Sequence, residues 1–319
     1  MAKRPNQDIA GKQFWENRER FADLFNAFFF NGEPVIDPRF LQERNSEVAS
    51  NIPLGKIYEH VKKYEDVTKV YQGTELSILG IENQADIHYA MPLRSRLYDD
   101  LDYLKECAAL VGIRRADKVL SKKEWLSGMT KEDQLHMSLR IVIYYGEETW
   151  DGPRKLSDMV KIPDIFRPYF QDYEMPLVCI NERENYERIY RNESVKNLMT
   201  QLYLLYCRDW EKIRDMDVCL DYDTANILSA VTGNKILIKA ASQKKGGIRM
   251  CSALEELRRE GVEEGRREGV EEGRKKGVEE GRKEMICSML LTGMTSEQVA
   301  KIAKMTVEEI EKIKRKYKI

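Results

Sequence analysis

The sequence has few of the features that mark secreted, membrane-spanning or zinc-binding proteins. Six cysteines are spread over 319 residues and none forms a CxxC pair, which argues against a zinc module and against a disulfide framework. No run of about 18 apolar residues occurs, and the N-terminal segment lacks the apolar core of a secretory signal. We therefore expect a reduced, soluble, cytoplasmic protein without a membrane partner.

Histidine and net charge are scarce as well. The three histidines, His60, His88 and His136, show no ligand spacing, so a Ser-His-Asp or Cys-His enzyme is a poor interpretation. The formal net charge of −1 provides no global positive field to attract nucleic acid, and any such binding must come from local patches. Charged residues still make up 34% of the chain, which indicates a heavily solvated surface or long polar helices.

The apolar spacing predicts a mixed α/β core followed by helices. An amphipathic helix is predicted over residues 16–30, ended by Asn31-Gly32. Runs of strand-forming residues at 66–71 and 76–82 predict a β-hairpin, and residues 89–111 return to helical spacing. Further strands are expected at 139–145 and, more weakly, at 176–180, and residues 184–232 read as helical.

The segment from residue 260 to 284 is a glycine-periodic repeat of Glu, Arg and Lys. Glycine recurs every four residues and the only apolar positions are Val262, Val270 and Val278. Six glycines weaken a helix by about 5–6 kcal/mol relative to alanine, whereas each Glu–Lys or Glu–Arg pair returns only about 0.2–0.5 kcal/mol. Two interpretations remain open: a solvated helical spacer, or a helix that self-associates through its glycine face.

Residues 285–319 recover an apolar pattern. Thr295 and Thr306 are placed to cap two short helices, which resemble the first two helices of a helix-turn-helix. The basic end, residues 312–318, suits phosphate contact. The alternative is that the two helices only pack on each other or on a neighbouring chain.

The stretch LSILGIENQ, residues 76–84, ends an apolar strand on polar side chains. Side chains two residues apart lie on one face of a strand, so Glu82 and Gln84 point the same way. A three-residue hairpin loop would set Asp66 opposite Glu82, whereas a two-residue turn would set Glu65 there. Either pairing brings two carboxylates together, which is unfavourable unless a divalent cation lies between them. Mg²⁺ suits such a site because it takes few carboxylates and keeps several waters. Two solvated acids at a sheet edge are the simpler alternative.

These residues carry a family resemblance. Asp66 followed by Glu82-Asn83-Gln84 resembles the PD-(D/E)XK nuclease core, with glutamine in place of the usual lysine. The string IENQxxxxYAMPxRxxxY from Ile81 to Tyr98 and the later YYGxxxWDGP resemble the Rpn family of recombination-promoting nucleases, which is also associated with transposases. The glycine-periodic tail fits the same family, so the resemblance covers nearly the whole chain.

The resemblance implies an α/β fold and four segments. The fold is a PD-(D/E)XK restriction-endonuclease-like core, a mixed sheet flanked by helices, with a helical appendage and a glycine-periodic helical tail. The expected segments are a nuclease-like core at 1–183, a helical extension at 184–252, a repeat spacer at 253–284 and a helix-turn-helix-like segment at 285–319.

The resemblance also implies the roles of individual residues. Asp66, Glu82 and the backbone carbonyl of Asn83 would hold Mg²⁺, or alternatively Mn²⁺, and Asp23 on the first predicted helix is a further candidate ligand. Gln84 would orient the attacking water by hydrogen bonding, because it lacks the charge of lysine. The candidate DNA contacts are Lys62, Lys63, Arg94, Arg96, Tyr98, Arg114 and Arg115. Arg94 and Tyr98 lie one helical turn apart, so that both can face the same cleft.

Three functions follow as expectations. The first is a metal-dependent DNA endonuclease associated with recombination or mobile elements, with an activity that is weak or tightly regulated because Gln84 replaces lysine. The second is a nuclease-fold protein that binds DNA or a protein partner without cutting. The third is a scaffold that acts through a homo-oligomer built by its tail.

Overall fold

The computed structural model describes residues 5–43, 67–72, 76–117, 121, 123–216, 218–233 and 248–317. The chain divides into two compact units, Met1–Ala253 and Leu254–Ile319. This division falls one residue beyond the expected boundary between 252 and 253. The expected boundary between 183 and 184 lies inside the first unit.

Two helices open the first unit: α1 is Pro5–Glu16 and α2 is Arg18–Phe29. The helix predicted over 16–30 is α2, and it begins at the cap Asn17, whose side chain accepts the N–H groups of the first turn. It ends where Asn31 and Gly32 take positive φ angles of 51° and 81°, as the sequence predicts. The preceding helix, α1, was not predicted from the sequence.

A five-stranded mixed sheet forms the centre of the first unit. Its strands, in sheet order, are β1 Leu41–Glu43, β2 Val67–Gln72, β3 Leu76–Gln84, β4 Met137–Tyr144 and β5 Leu177–Cys179. The first three strands pair antiparallel, whereas β3, β4 and β5 pair parallel. The predicted mixed α/β core is therefore confirmed, and the hairpin and both later strands appear where the sequence predicts them.

Helix α3, Met91–Asp117, connects the parallel strands β3 and β4. It replaces the shorter helix predicted over 89–111, and its second residue is Pro92, which the first helical turn tolerates. Parallel neighbours require a long crossover connection, usually helical, so α3 is the element that lets β4 lie beside β3.

Residues 183–250 add short helices and a two-stranded sheet. The helices are α4 Arg183–Tyr186, α5 Glu193–Tyr206, α6 Trp210–Met216 and α7 Tyr222–Thr232. The antiparallel strands are β6 Cys219–Leu220 and β7 Ile248–Arg249. The prediction of a helical region at 184–232 is thus correct except where β6 interrupts it.

The repeat forms part of one long helix, α8, Met250–Leu291. Its 42 residues correspond to a length of about 63 Å. Within the described part of the chain, a Cβ added at the glycines from 265 to 281 would meet no neighbouring atom, and the three repeat valines are each 65% exposed. Ion pairs between residues four apart lie on the surface of this helix, such as Glu271–Lys275 at 3.0 Å.

Two short helices follow, α9 Ser296–Ala303 and α10 Val307–Tyr317. As predicted, Thr295 and Thr306 cap them by accepting the N–H groups of Gln298 and Glu309. Their apolar sides pack with the end of α8 around the buried residues Ile286, Leu290, Val299, Ala300, Ala303 and Ile310. Among the described helices of the whole chain, none has the length and apolar character that a membrane crossing requires.

Candidate active site at the end of strand β3

The site begins with the alternation of side chains on β3. Ile78, Gly80, Glu82 and Gln84 share one face of the sheet, because side chains alternate along a strand. In the pairing with β4, Gly80 lies beside Arg140. Helix α3 contacts this same face, since Arg140 donates to Asp102 of that helix.

The Glu82 side chain is fully buried, with 0% of it exposed. Its Oε1 atom accepts a hydrogen bond from Nη1 of Arg140 at 3.1 Å, and its Oε2 atom lies 3.6 Å from Nη2 of Arg94. A buried carboxylate needs such partners because removing an ion from water costs several kcal/mol. The structure therefore places two guanidinium groups, from β4 and α3, against the one carboxylate.

Arg140 occupies space that exists only because residue 80 is glycine. A Cβ added at Gly80 would lie 2.6 Å from Nη1 of Arg140, which is too close for two non-bonded atoms. The Arg140 side chain is 1% exposed, and its Nη2 atom donates to Oδ2 of Asp102 at 3.0 Å. Sequence analysis did not identify Arg140; the available signals were an arginine within the apolar strand LRIVIYY and a glycine inside β3.

Two aspartates of α3 complete the buried network. Asp99 and Asp102 both accept from the Ser138 hydroxyl at 3.1 Å, and the Tyr173 hydroxyl donates to Asp99 at 2.7 Å. Burial raises the pKa of Asp99, against the opposing effect of the nearby Arg140 charge. Lys105 lies 3.3 Å from Asp102, so positive and negative groups alternate through the network.

Arg94 and Tyr98 face the site together, as their spacing on α3 predicts. Nε of Arg94 donates to the Tyr98 hydroxyl at 2.6 Å, and the Tyr98 ring lies 5.0 Å from the Arg140 guanidinium. Burial, followed by the nearby Glu82 charge, raises the pKa of Tyr98, so its hydroxyl stays protonated. The Arg94 side chain is 25% exposed, which gives the network its access to solvent.

Asn83 points to the opposite face of the sheet from Glu82. Its Oδ1 atom accepts from the Tyr145 hydroxyl at 2.8 Å, and that hydroxyl accepts from the indole of Trp15 on α1. The backbone carbonyl of the next residue, Gln84, accepts from the Tyr145 N–H on the β4 side. Since successive carbonyls of a strand point to opposite edges, the Asn83 carbonyl points toward the β2 edge.

Gln84 lies at the last position of β3 and its side chain is partly buried. It shares the face of Glu82 and pairs in register with Tyr144 of β4. Burial raises the pKa of Tyr144 to about 12, and the nearby acidic side chains of Glu148, Asp86 and Asp151 add to the rise, so carboxylates lie close to this end of the strand.

Asp23 does not lie on the Glu82 face. It belongs to α2, where Phe21 packs under Lys69 at 5.6 Å. Lys69 is paired with Leu79, which points away from Glu82. Asp23 accepts the backbone N–H of Arg191 at 2.9 Å, and burial raises its pKa. The structure thus gives Asp23 the role of fixing the chain ahead of α5.

The remaining candidate residues are distributed more widely. Arg96 pairs with Asp100 at 3.7 Å on the surface of α3, and Arg114 pairs with Asp133. Arg115 lies within α3, although its side chain is outside the described part. Asp66, Lys62 and Lys63 all lie outside the described residues.

The donor groups at this site match part of what Mg²⁺ requires. Glu82 supplies one carboxylate and Asn83 one carbonyl, while the second carboxylate of the expected set, Asp66, lies outside the described residues. Among the residues that are described, no group of three or more His, Cys, Asp or Glu side chains is arranged to hold a metal ion. Mg²⁺ is commonly held by only one or two carboxylates together with water, so Glu82 and the Asn83 carbonyl are donors of the kind that this cation takes.

No family model, no curated protein and no solved structure matches this chain. A function is therefore inferred from the geometry of the site and from the motifs of the sequence.

Proposed function

We propose that this protein is a metal-dependent DNA endonuclease with a PD-(D/E)XK type of site, acting in recombination or mobile-element biology. The observation that carries the proposal is the setting of Glu82: a buried carboxylate at the end of a central strand, with the partly exposed Arg94 beside it. Glu82, the proposed cation ligand, and Arg94, the proposed phosphate contact, therefore lie side by side.

The hairpin register supports the proposed second ligand. Gln72 pairs with Leu76 and Val67 with Ile81, so three residues separate the paired ends of the hairpin. This register agrees with the three-residue loop, which is the alternative that assigns Asp66 to the position opposite Glu82. The mixed sheet flanked by helices is consistent with the expected type of core.

In the proposed reaction, Asp66, Glu82 and the Asn83 carbonyl would hold Mg²⁺ or Mn²⁺. The bound cation would polarise a phosphoryl oxygen and lower the pKa of a bound water. Gln84 would orient the water whose oxygen attacks phosphorus. As the new bond forms, this water gives up a proton to solvent, the bond from phosphorus to the leaving sugar oxygen breaks, and that oxygen takes up a proton from solvent. Arg94, whose planar guanidinium suits bidentate contact with phosphate, holds the DNA strand in place.

Plasmid nicking tests this proposal. Supercoiled plasmid is incubated with Mg²⁺ or Mn²⁺ and the full-length chain, in parallel with Asp66→Ala and Glu82→Gln. The matched control is Glu187→Gln, which alters a surface glutamate paired with Arg183. We expect wild type and the control to nick the plasmid, and both site variants to lose at least about 10²-fold in rate. Nicking by Glu82→Gln at the wild-type rate would reject the assignment.

The second candidate is a nuclease-fold protein that binds DNA or a protein partner without cutting. Two observations favour it. Two arginines already neutralise the Glu82 carboxylate that a cation would need, and Gln84 stands where the resemblance places a lysine. A mobility shift with plasmid or duplex DNA in EDTA separates this candidate from a scaffold. Binding without nicking in any metal would support it.

The tail suggests a homo-oligomer. The Gly-Val repeat of α8 is solvated in the described structure, and its glycines leave room for the close approach of a second helix. DNA contact by the basic end of α10 is a separate proposal. Lys314 and Arg315, in the last turn of that helix, would contact the phosphates. Removing α10 while keeping α8 tests that contact by mobility shift.

A further inference from the structure

The two arginines that contact Glu82 differ in how firmly they are held. Arg140 is 1% exposed, donates to both Glu82 and Asp102, and fills the space left by Gly80. Arg94 touches the other carboxylate oxygen at 3.6 Å and is 25% exposed. Packing therefore fixes Arg140, whereas the Arg94 side chain is partly exposed to solvent.

Arg94 and a divalent cation compete for the same atom. A cation bound by Glu82 must approach a carboxylate oxygen to about 2.0–2.1 Å, and Oε1 is already engaged by Arg140. Oε2 is the oxygen that faces Arg94. Two positive groups at one oxygen repel each other, so the Arg94–Glu82 contact lowers the affinity of the site for a cation.

A DNA phosphate offers Arg94 another partner. Charge-assisted, bidentate contact with phosphate is among the stronger interactions of arginine, and the Tyr98 hydroxyl, which accepts from Nε, orients the guanidinium beside the site. Turning toward a phosphate would remove the positive charge from Oε2 of Glu82.

We propose that Arg94 couples DNA binding to cation binding at Glu82. Without DNA, Arg94 pairs with Oε2 and weakens cation binding; with DNA, it turns to a phosphate and releases that oxygen. By linkage the effect is reciprocal, so that the cation also strengthens DNA binding by the same factor. The inference rests on the proposed function, because it takes DNA and a divalent cation as the ligands of the site.

The coupling is measured by Mn²⁺ titration, with free Mn²⁺ followed by electron paramagnetic resonance. The full-length chain is titrated alone and with a short phosphorothioate duplex that resists cleavage, and Mn²⁺ bound by the duplex itself is subtracted. The variant is Arg94→Gln, with Arg94→Met as a second uncharged side chain should the first fail to fold. Arg183→Gln is the matched control, because it also breaks an arginine–glutamate pair, at 2.6 Å, on the protein surface.

For wild type and the control, DNA is expected to tighten Mn²⁺ binding by about tenfold. For Arg94→Gln or Arg94→Met, Mn²⁺ binding without DNA is expected to be about five- to tenfold tighter than in wild type, and the further gain from DNA to be small. Unchanged or weaker Mn²⁺ binding by both folded Arg94 variants would overturn the inference. So would a DNA effect that survives in full without Arg94.

Glu82→Gln separates this inference from the proposed function. If Mn²⁺ binding is the same in Glu82→Gln as in wild type, the cation site itself is wrong and both proposals fail. If Glu82→Gln loses Mn²⁺ binding while the Arg94 variants behave as wild type, the site stands and only the coupling is rejected.

Discussion

Pairs of glutamate with arginine or lysine occur in two regions of this protein, buried in one region and exposed to solvent in the other. Around Glu82 the charges are buried, at 0% exposure for Glu82 and 1% for Arg140. Along α8 they are solvated, as in the Glu271–Lys275 pair with 58% and 70% of the side chains exposed. In the buried network each charge depends on its partner, whereas along α8 water can replace any partner that is lost.

The two settings differ in how much a substitution costs. Breaking a buried pair leaves an ion with no solvent to stabilise it, whereas exposed pairs contribute little because water and salt screen them. The residue types of a pair do not show which of the two settings it occupies.

Removing Arg140 should give the largest loss of stability. Arg140→Ala leaves the buried carboxylates of Glu82 and Asp102 without a main partner, so the free energy of unfolding should fall by about 3–5 kcal/mol. Urea denaturation of the full-length chain measures it. The control Lys275→Ala breaks an exposed pair of α8 and should cost at most about 0.5 kcal/mol. Similar losses of unfolding free energy in the two variants would contradict the difference between buried and exposed pairs.

Substitutions of Gln84 test the chemistry at the polar end of β3. If Gln84 orients water, Gln84→Ala should lower the plasmid-nicking rate by about 10²-fold or less. Gln84→Lys should retain or raise the rate, because an ammonium group adds stabilisation of negative charge in the transition state. Unchanged nicking in Gln84→Ala would exclude this residue from the mechanism.

A pair of glycine substitutions tests the space that Arg140 occupies. Gly80→Ala places a Cβ 2.6 Å from Nη1 of Arg140, and the overpacking should lower the free energy of unfolding by about 1–3 kcal/mol. Gly112→Ala, within α3, meets no atom within 4 Å and should stabilise the helix by roughly 0.5–1 kcal/mol. Thermal melts of both variants give the signs, and a Gly80→Ala chain as stable as wild type would show that Arg140 can move aside.

The raised pKa of Asp99 predicts a smaller, pH-dependent effect. Because burial raises this pKa in the folded state above its ordinary value of 3.8, the folded chain resists ionisation of Asp99. Its stabilising contribution is therefore fully present below pH 3.8 and is lost as pH rises through the folded-state pKa. Asp99→Asn should flatten the stability profile in that window, measured by urea denaturation at a series of pH values. An unchanged profile would contradict the predicted shift.

Removing the second unit should have the smallest effect on the first. A chain that ends at Ala253 keeps Met250, which is buried and donates its N–H to Val218. We expect the shortened chain to fold with unchanged stability and to keep any nicking activity, but to self-associate less in sedimentation. The same oligomeric state in both chains would assign α8 the role of a spacer.

Local patterns in the sequence predicted most of the elements of the first unit. The apolar period of 16–30, the apolar run of 76–82 and the glycine and proline positions identify α2, the hairpin and the start of α3, because these signals depend on neighbours in the chain. Helix α1 was missed, since its amphipathic pattern is weak, although Phe14 and Trp15 are fully buried.

The partners of the site residues depend on long-range contacts and could not be predicted. Strand and helix periods already place Glu82 and Gln84 on one face and let Arg94 and Tyr98 meet. The polar, glycine-periodic character of the tail is likewise a property of the chain alone. Long-range packing sets two further contacts. Arg140, 58 residues from Glu82 in the chain, is its closest described counter-ion, and Asp23 accepts the backbone N–H of Arg191. The parallel pairing of β3 with β4 and the packing of α3 bring Glu82, Arg140 and Arg94 together, and no local pattern in the sequence specifies that pairing or that packing.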